Sequence, residues 1–497
     1  MNSKSYIIRA DASIGSGTGH LMRCISLAQS LKDAGGEVTF AVAESPESTI
    51  EKIRTEFEVV KVKSDSGTEK DVAETIEKAF ACNSKWIVVD GYHFSSKYQE
   101  SIKKSGLKLL FLDDYGHCDK YSAEIILNQN SYASEKYYPK TDIFTRLLLG
   151  TKYSSIRREF LKYKNFSKKT PKIATKVLVT MGGSDPLNTT LKILNSIKKM
   201  KERQLDVKIV LGGANPHLQS IEKEIKKSPN LQILMNVSNM PELMAWADLA
   251  ISGGGTTCWE ICLMKLPNMI LYCADNQVPI AESLDKAGAA VNLGMTSEIS
   301  EQSISKKIET LICDFRRREG MSEEAGKLVD GLGAERVAEE MSAPSLRHVL
   351  EGDCKFVFEL SNSPEVRAIS FSKDPIPLET HLKWFNRILQ DKNSVFYIAE
   401  DCDGNPVGQI RFKKDSKEAV ISVSLIKSVR GKGYGSRIID QGAIALFRSS
   451  GVNIINAYVK KENPASVKSF EKSGFTEAAK DIYSEENNSL HFMRKRK

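Results

Sequence analysis

YIIRADASIGSGTGHLMRCISLAQSL, residues 6 to 31, opens with an apolar run from Tyr6 to Arg9 and passes through a glycine-rich turn. It then carries Leu21, Cys24, Ile25, Leu27, Ala28 and Leu31 at helical spacing. The order is strand, loop, helix. The same rhythm continues outward in VTFAV (38–42), WIVVD (86–90) and LKLLFLDD (107–114), short apolar runs separated by polar helical stretches. Such alternation predicts a buried parallel sheet with helices on both faces.

A polar, lysine-rich interval, LKYKNFSKKTPKIATK (161–176), interrupts the pattern with a proline, and KVLVTMGG starts a new series. VKIVLGG (207–213), LQILMNV (231–237), DLAISGGG (248–255) and MILYCADNQ (269–277) continue it, and a helix is expected around Gly320 to Met341. SAPSLRH then breaks the chain. Beyond it the pattern becomes α+β, with strands expected near 354–360, 395–400, 406–413 and 419–426 and a helix near 378–390. Three domains are expected: 1–160 and 171–342, both α/β, and 353–497. Ligands belong in the cleft between the first two, at the carboxyl ends of the strands.

With 497 residues the chain is too long for one hydrophobic core, and 41% hydrophobic with 27% charged residues excludes a disordered or low-complexity protein. No uncharged stretch approaches the length of a membrane helix and the first residues lack a signal-peptide pattern, so a soluble, cytoplasmic protein is expected. Nine cysteines without metal spacing are expected as reduced, buried thiols, with Cys258 and Cys262 packed one helical turn apart; no metal site is expected. Of the net charge of +8, residues 346–497 carry +6, from 25 Lys and Arg against 19 Asp and Glu. The terminal basic run from Arg494 to Lys497 lacks interleaved aromatics and reads as a solvated end, not a nucleic-acid surface. A small polyanionic ligand explains the basic domain as well.

Glycine turns carry the chemistry. Gly15, Gly17 and Gly19 precede His20 at a helix start, where backbone amides and the helix dipole favour an anion, but their spacing does not match the dinucleotide fingerprint. His20 at that mouth has the side chain best suited to taking and releasing a proton near neutral pH; the alternative is a structural histidine. In SGGGTTCWE, Gly253, Gly254, Gly255, Thr256 and Thr257 can present amides and hydroxyls to a diphosphate. Glu260 can accept from ribose hydroxyls or merely compensate a helix dipole. MGGSDPLN, with Gly182 and Gly183, and LGGAN add two more turns to the same edge.

GSGTGHLMRC, VVDGYHF, GTKYSSIRREF, MGGSDPLN, SGGGTTCWE and CADNQ occur in the order found in the UDP-sugar hydrolases of pseudaminic acid biosynthesis, which residues 5–340 resemble. The resemblance implies two Rossmann-like domains facing a cleft, a glycosyltransferase B-like fold shared with the lipid II-forming N-acetylglucosaminyltransferase. It also implies metal-independent attack of water on C1 of UDP-2,4-diacetamido-2,4,6-trideoxy-β-L-altropyranose, with inversion and release of UDP. His20 matches the proposed general base, Tyr92 and Asn276 other active-site positions, and residues 252–260 the UDP site. Gly17, Gly19, Gly182, Gly183, Gly254, Gly255, Thr256, Thr257, Glu260 and Gln277 are the expected UDP-sugar contacts.

Farther on, VRGKGYGS (429–436) fits R-x-x-G-x-G between a strand and a helix, so that successive amides can wrap a pyrophosphate. With NPASVKSFEKSGF (463–475) it resembles the GCN5-related N-acetyltransferases, GNAT, over residues 353–496. That resemblance implies acetyl-CoA as cosubstrate, held by Val423, Arg430, Gly431, Gly433, Tyr434, Gly435, Ser436 and Asn463, with direct transfer to an amine. Two positions depart from the family pattern: Phe470 stands where many members have an acidic tyrosine, and Val420 where many have a glutamate; Glu418 lies outside, Ser422 and Ser424 are the only inward candidates, and Tyr483, a water or the amine itself can substitute. His381 and Trp384 either face the acceptor or pack in the core. The expectation is a bifunctional enzyme that N-acetylates a UDP-linked 4-amino sugar and hydrolyses the product, with a small-molecule UDP-sugar and acetyl-CoA as partners and neither nucleic acid nor membrane. Its rivals are a UDP-sugar glycosyltransferase with an accessory acyltransferase domain and a non-catalytic nucleotide-sugar sensor.

Overall fold

The computed structural model describes residues 4–12, 19–200, 204–213, 215–226, 228–235, 237 and 239–496. The chain forms two compact units, Met1–Thr141 with Leu147–Ala338, and Asp142–Arg146 with Glu339–Lys497.

The first unit holds two sheets. β1 (Lys4–Ala10), β2 (Gly36–Val42), β3 (Glu58–Lys61), β4 (Trp86–Asp90), β5 (Lys108–Leu112), β6 (Ile125–Asn128) and β7 (Arg146–Leu149) lie in the order β3-β2-β1-β4-β5-β6-β7. β8 (Lys176–Thr180), β9 (Asp206–Leu211), β10 (Leu231–Met235), β11 (Leu249–Ser252), β12 (Asn268–Tyr272) and β13 (Ala290–Met295) lie in the order β10-β9-β8-β11-β12-β13. The first six strands of the first sheet, and all six of the second, pair in parallel. The central strands β4, β8 and β11 are almost wholly apolar because both of their faces are covered. In β8, Val177 and Val179 join one core layer while Leu178 joins another on the opposite face. In each sheet the strand order reverses beside the first strand, between β1 and β4 and between β8 and β11. Such a reversal leaves a crevice at the carboxyl ends of the strands. His20 and the β4 end at Asp90 flank one reversal; the turns at 181–183 and 253–256 flank the other.

In the second unit, β14 (Ser345–His348), β15 (Ser394–Glu400), β16 (Pro406–Asp415), β17 (Glu418–Leu425), β18 (Ile454–Lys460), β19 (Thr476–Glu477) and β20 (Ser489–Lys495) form one sheet in the order β14-β15-β16-β17-β18-β20-β19. β17 and β18 pair in parallel only from Glu418↔Ile454 to Val420↔Asn456, and splay beyond. One face, with Ile421, Ile455 and Ala457, packs into a core with the helices Tyr434–Ser449 and Pro464–Lys472. The other face carries the helices Cys354–Asn362 and Leu378–Gln390 over Phe396 and Ile398.

Several expectations require correction. CKFVFELSN, expected as a strand near 354–360, is the helix Cys354–Asn362. Its alternating Phe356, Phe358 and Leu360 mimic a strand, but Val357 and Leu360, three apart, are the buried pair. SAPSLRH is not merely a breaker: Ser345–His348 pairs antiparallel with β15, so the third sheet begins ahead of residue 353. The helix expected from Gly320 to Met341 is two, Phe315–Leu328 and Gly333–Ser342, broken where Gly331 takes φ +82°. All nine cysteines are free, but Cys24, Cys258 and Cys262 are buried while Cys313 is exposed. The basic end is not simply solvated, because Arg494 Nη1 donates to Asp440 Oδ1 and to the Ser473 carbonyl, each at 2.7 Å. Among the described residues no helix is long and apolar enough to cross a membrane.

Candidate functional site

His20 sits in the first turn of the helix Gly19–Asp33, where β1 hands over to the helix beside β4. The β1–β4 register therefore aims it at the end of β4. There His20 Nδ1 lies 2.6 Å from Asp90 Oδ1. Asp90 is fully buried and receives Arg23 Nε on Oδ2 and Arg23 Nη2 on Oδ1, both at 2.6 Å. Burial alone would raise its carboxyl, but Arg23 and His20 overcome that and hold it well below the usual carboxylate range. An ionised carboxylate only accepts, so the imidazole proton lies on Nδ1 and the lone pair on Nε2. The arrangement follows the triad logic, in which a buried carboxylate fixes the tautomer of a base and stabilises the cation it becomes.

Arg23 is shared. Its Nη1 donates to Asp114 Oδ1 at 2.8 Å, and Asp114 also receives Asn130 Nδ2 at 2.8 Å and the Tyr92 hydroxyl at 2.7 Å. Two carboxylates against one guanidinium leave this cluster at −1 when His20 is neutral, so a proton arriving on the imidazole neutralises it. The Tyr92 ring meets His20 edge-on at 4.9 Å between centroids. Burial, and then Asp114, push the Tyr92 phenol far above its usual range, so Tyr92 serves as a neutral hydrogen-bonding group. Asn276 stands within reach of the Tyr92 phenol and partly offsets that rise, bringing the second half of the unit to the same point.

The turns of the second half converge there too. A Cβ built on Gly19 would lie 3.8 Å from Thr256 Oγ1, and one on Gly254 would collide with Gln277 Cβ and its carbonyl oxygen at 2.9 Å each. Gly254 thus lets the 253–256 turn press against the 275–277 turn. Gly183 abuts Gly212, Gly182 has φ +87°, and open space surrounds the Cβ direction of Gly255. Thr256 and Thr257 stand at the start of the helix Thr257–Leu263, while Gln277 Oε1 accepts from the Cys273 amide at 3.2 Å. Glu260 is engaged: Arg157 Nε and Nη2 donate to its two oxygens at 2.6 and 2.9 Å. Gly17 lies outside the described residues.

In the second unit, Arg430 Nε and Nη2 donate to the Leu425 carbonyl at 2.9 and 2.6 Å, tying the turn to the end of β17. Gly431 and Gly433 take φ +77° and +78°, with nothing within 4 Å of either Cβ direction. Gly433 caps the helix Tyr434–Ser449, so this concavity at a 16-residue helix start fits a pyrophosphate. Ser436 Oγ turns back to the Gly433 carbonyl, Gly435 packs against Ser469, and Tyr434 and Val423 pack partly into the core. Asn463 accepts the Ser466 amide as a helix cap. Phe470 is 4% exposed, packed on Phe475 and Phe492. Glu418 accepts from Asn456 Nδ2 at 2.7 Å, and Tyr483 is exposed against Tyr458. His381 is buried, donating Nε2 to the Cys354 carbonyl and stacking on Phe385, so it packs; Trp384 instead lines an open cleft.

The cluster of Arg23, Asp90 and Asp114 was missed in the sequence. The only hint was an acidic residue at the end of each of two apolar runs, WIVVD and LKLLFLDD, which equally marks a strand leaving the core.

Residues 176–339 match the glycosyltransferase family 28 C-terminal domain, and residues 345–476 match the acetyltransferase (GNAT) domain. An uncharacterized protein of Methanocaldococcus jannaschii is 24% identical, over 95% of this chain and 97% of its own. The spore coat polysaccharide biosynthesis protein SpsG of Bacillus subtilis is 27% identical over 32% of this chain and 48% of its own. The pseudaminic acid cytidylyltransferase and UDP-2,4-diacetamido-2,4,6-trideoxy-beta-L-altropyranose hydrolase of Helicobacter pylori is 24% identical over 46% of this chain and 40% of its own. The match to this chain spans less than half of each of the latter two proteins. The GNAT match implies acetyl-CoA binding. The fold class is α/β, two Rossmann-like halves of the glycosyltransferase B type with a GNAT domain after them in the chain. The chain is a glycosyltransferase-like segment, homologous to the pseudaminic acid hydrolase, fused to a GNAT acetyltransferase domain.

Proposed function

We propose that the first unit hydrolyses UDP-2,4-diacetamido-2,4,6-trideoxy-β-L-altropyranose and that the second N-acetylates its UDP-linked 4-amino precursor. The observation that carries the hydrolase reading is His20 Nδ1 on the buried, ionised Asp90 at 2.6 Å, beside the point where Tyr92 meets Asn276. His20 Nε2 takes a proton from water as the water oxygen bonds to C1. The C1–O bond breaks on the opposite face, its electron pair leaves with the β-phosphate of UDP, and the free sugar forms with inversion. The proton on His20 then passes to solvent. Asp90 and Asp114, held by Arg23, stabilise the imidazolium as it forms. Tyr92 and Asn276 position the water and the sugar, and the amides of 253–257 with the turn at 182–183 receive the departing diphosphate.

For the second unit, the open Gly431–Gly433 concavity at the helix start supports acetyl-CoA binding, with the pantetheine arm entering the splay between β17 and β18. A deprotonated amine attacks the thioester carbonyl; the C–S bond breaks, CoA leaves as the thiol after taking a proton, and the amide remains.

Reaction in ¹⁸O-labelled water tests the hydrolase step. The label is expected on C1 of the released sugar, of inverted configuration, and not in UDP. Label in the β-phosphate would place the attack at phosphorus and overturn the reading. UDP release that requires an added acceptor would favour a glycosyltransferase.

A further inference from the structure

On the sheet face opposite the acetyltransferase core, a cleft of about 720 Å³ opens between the helix Leu378–Gln390 and strands β16 and β17. Trp384, Arg387, Arg411, Lys413, Val420 and Ser422 line it. Ser422 lies just beyond Val420↔Asn456, the last paired position before β17 and β18 splay, so the cleft adjoins the place where the thioester would emerge.

Arg411 is the unexplained group. Its guanidinium carbon lies 4.8 Å from the Trp384 ring centroid and 5.8 Å from that of Phe396, and its Nε is buried without a hydrogen-bond partner. Among the described residues no carboxylate pairs with it, and burial lowers its guanidinium to about 10. Two aromatic faces hold a guanidinium flat but satisfy none of its N–H groups. Arg387 also has no carboxylate partner among the described residues, whereas Lys413 is paired with Asp391 at 2.6 Å. Three cations against one acid leave the cleft at +2, which repels a polycationic amine and attracts an anion. A planar, bidentate donor that is already partly desolvated recognises phosphate oxygens well.

The geometry points to a phosphate-recognition subsite for the acyl acceptor, in which Arg411 and Arg387 grip the diphosphate of a nucleotide-linked amino sugar while its amine reaches Ser422. This rests on the acetyltransferase reading above. Coenzyme A carries phosphates of the same chemistry, and the test separates the two sources.

Hydrogen exchange is followed in the full chain with acetyl-CoA saturating throughout, and UDP is then added at about ten times its Kd. Peptides covering 378–390 and 406–425 are expected to exchange about tenfold more slowly with UDP. Arg411→Gln and Arg387→Gln should each abolish that slowing, yet keep the ligand-free pattern and the UDP protection of residues 249–263 in the first unit. Protection of the cleft peptides by acetyl-CoA with nothing added by UDP, protection by spermine, or equal protection in Arg411→Gln would overturn the subsite. Release of CoA thiol by wild type with the UDP-linked 4-amino sugar is measured separately. Its absence alongside UDP protection at the cleft would sink the acetylation reading and leave the subsite standing.

Discussion

Asp90 accepts three short hydrogen bonds, two from Arg23 and one from His20, and its charge decides which imidazole nitrogen holds the proton. Asp90→Asn tests this. An amide nitrogen facing Nδ1 would donate to it, moving the imidazole proton to Nε2. UDP release should then fall by roughly 10²–10⁴-fold in kcat with little change in KM, measured by steady-state kinetics. A second residue sets a pH dependence. Burial alone would lower His117, but Asp113 and Cys118 raise it to about 10. Its stabilising contribution is therefore complete below the unfolded value of about 6.5 and is lost as pH rises towards 10. In urea melts, His117→Gln should be less stable than wild type at pH 6, on the order of 2 kcal/mol, and the gap should close by pH 10. At this scale His20 stood out because it closes a glycine turn at a helix start, whereas Tyr92 and Asn276 entered through the family resemblance alone. Arg23, Asp90 and Asp114 were not legible. Their pairing spans 67 and 91 residues, and only the β1-β4-β5 order brings them together.

Among elements, short and mostly apolar runs followed by glycine turns identified β1, β4, β8 and β11, because a parallel strand buried on both faces has little polar alternation to blur it. The helix Cys354–Asn362 was misread because it is amphipathic around a short stripe while its aromatics happen to alternate. Leu360 is 4% exposed on that stripe. Leu360→Ala should destabilise the second unit by ~2–4 kcal/mol in denaturant melts, as deletion of a buried leucine does. β14 escaped notice for the opposite reason: four residues ending in Arg and His look like a linker until pairing with β15 satisfies their backbone. Gly433 belongs here as well. At φ +78°, a β-branched residue is strained by ~1–2 kcal/mol or more and fills the open concavity. Gly433→Val should raise KM for acetyl-CoA at least about tenfold in the CoA-release assay, a loss of ~1.4 kcal/mol or more.

Over the whole molecule, the chain forms two compact units with their own hydrophobic clusters, and the proposed function assigns one chemistry to each. Point changes should therefore separate them: Gly433→Val should leave UDP release untouched, and His20→Ala should leave CoA release untouched. In the proposed function the two steps are consecutive, and joining them in one chain raises the local concentration of the shared intermediate. The two α/β halves were legible as one rhythm that resumes after a polar interval, and the α+β domain as the point where that rhythm changes and the parallel sheets give way to a mixed one. The candidate site was not, because it is assembled from the ends of β1, β4 and β5 and the 275–277 turn, which no local pattern joins. The most direct measurement compares UDP release from the diacetylated UDP-sugar by wild type and His20→Ala, with no other acceptor present. A fall of about 10²–10⁴-fold in kcat is expected if the imidazole activates water; equal rates would contradict it.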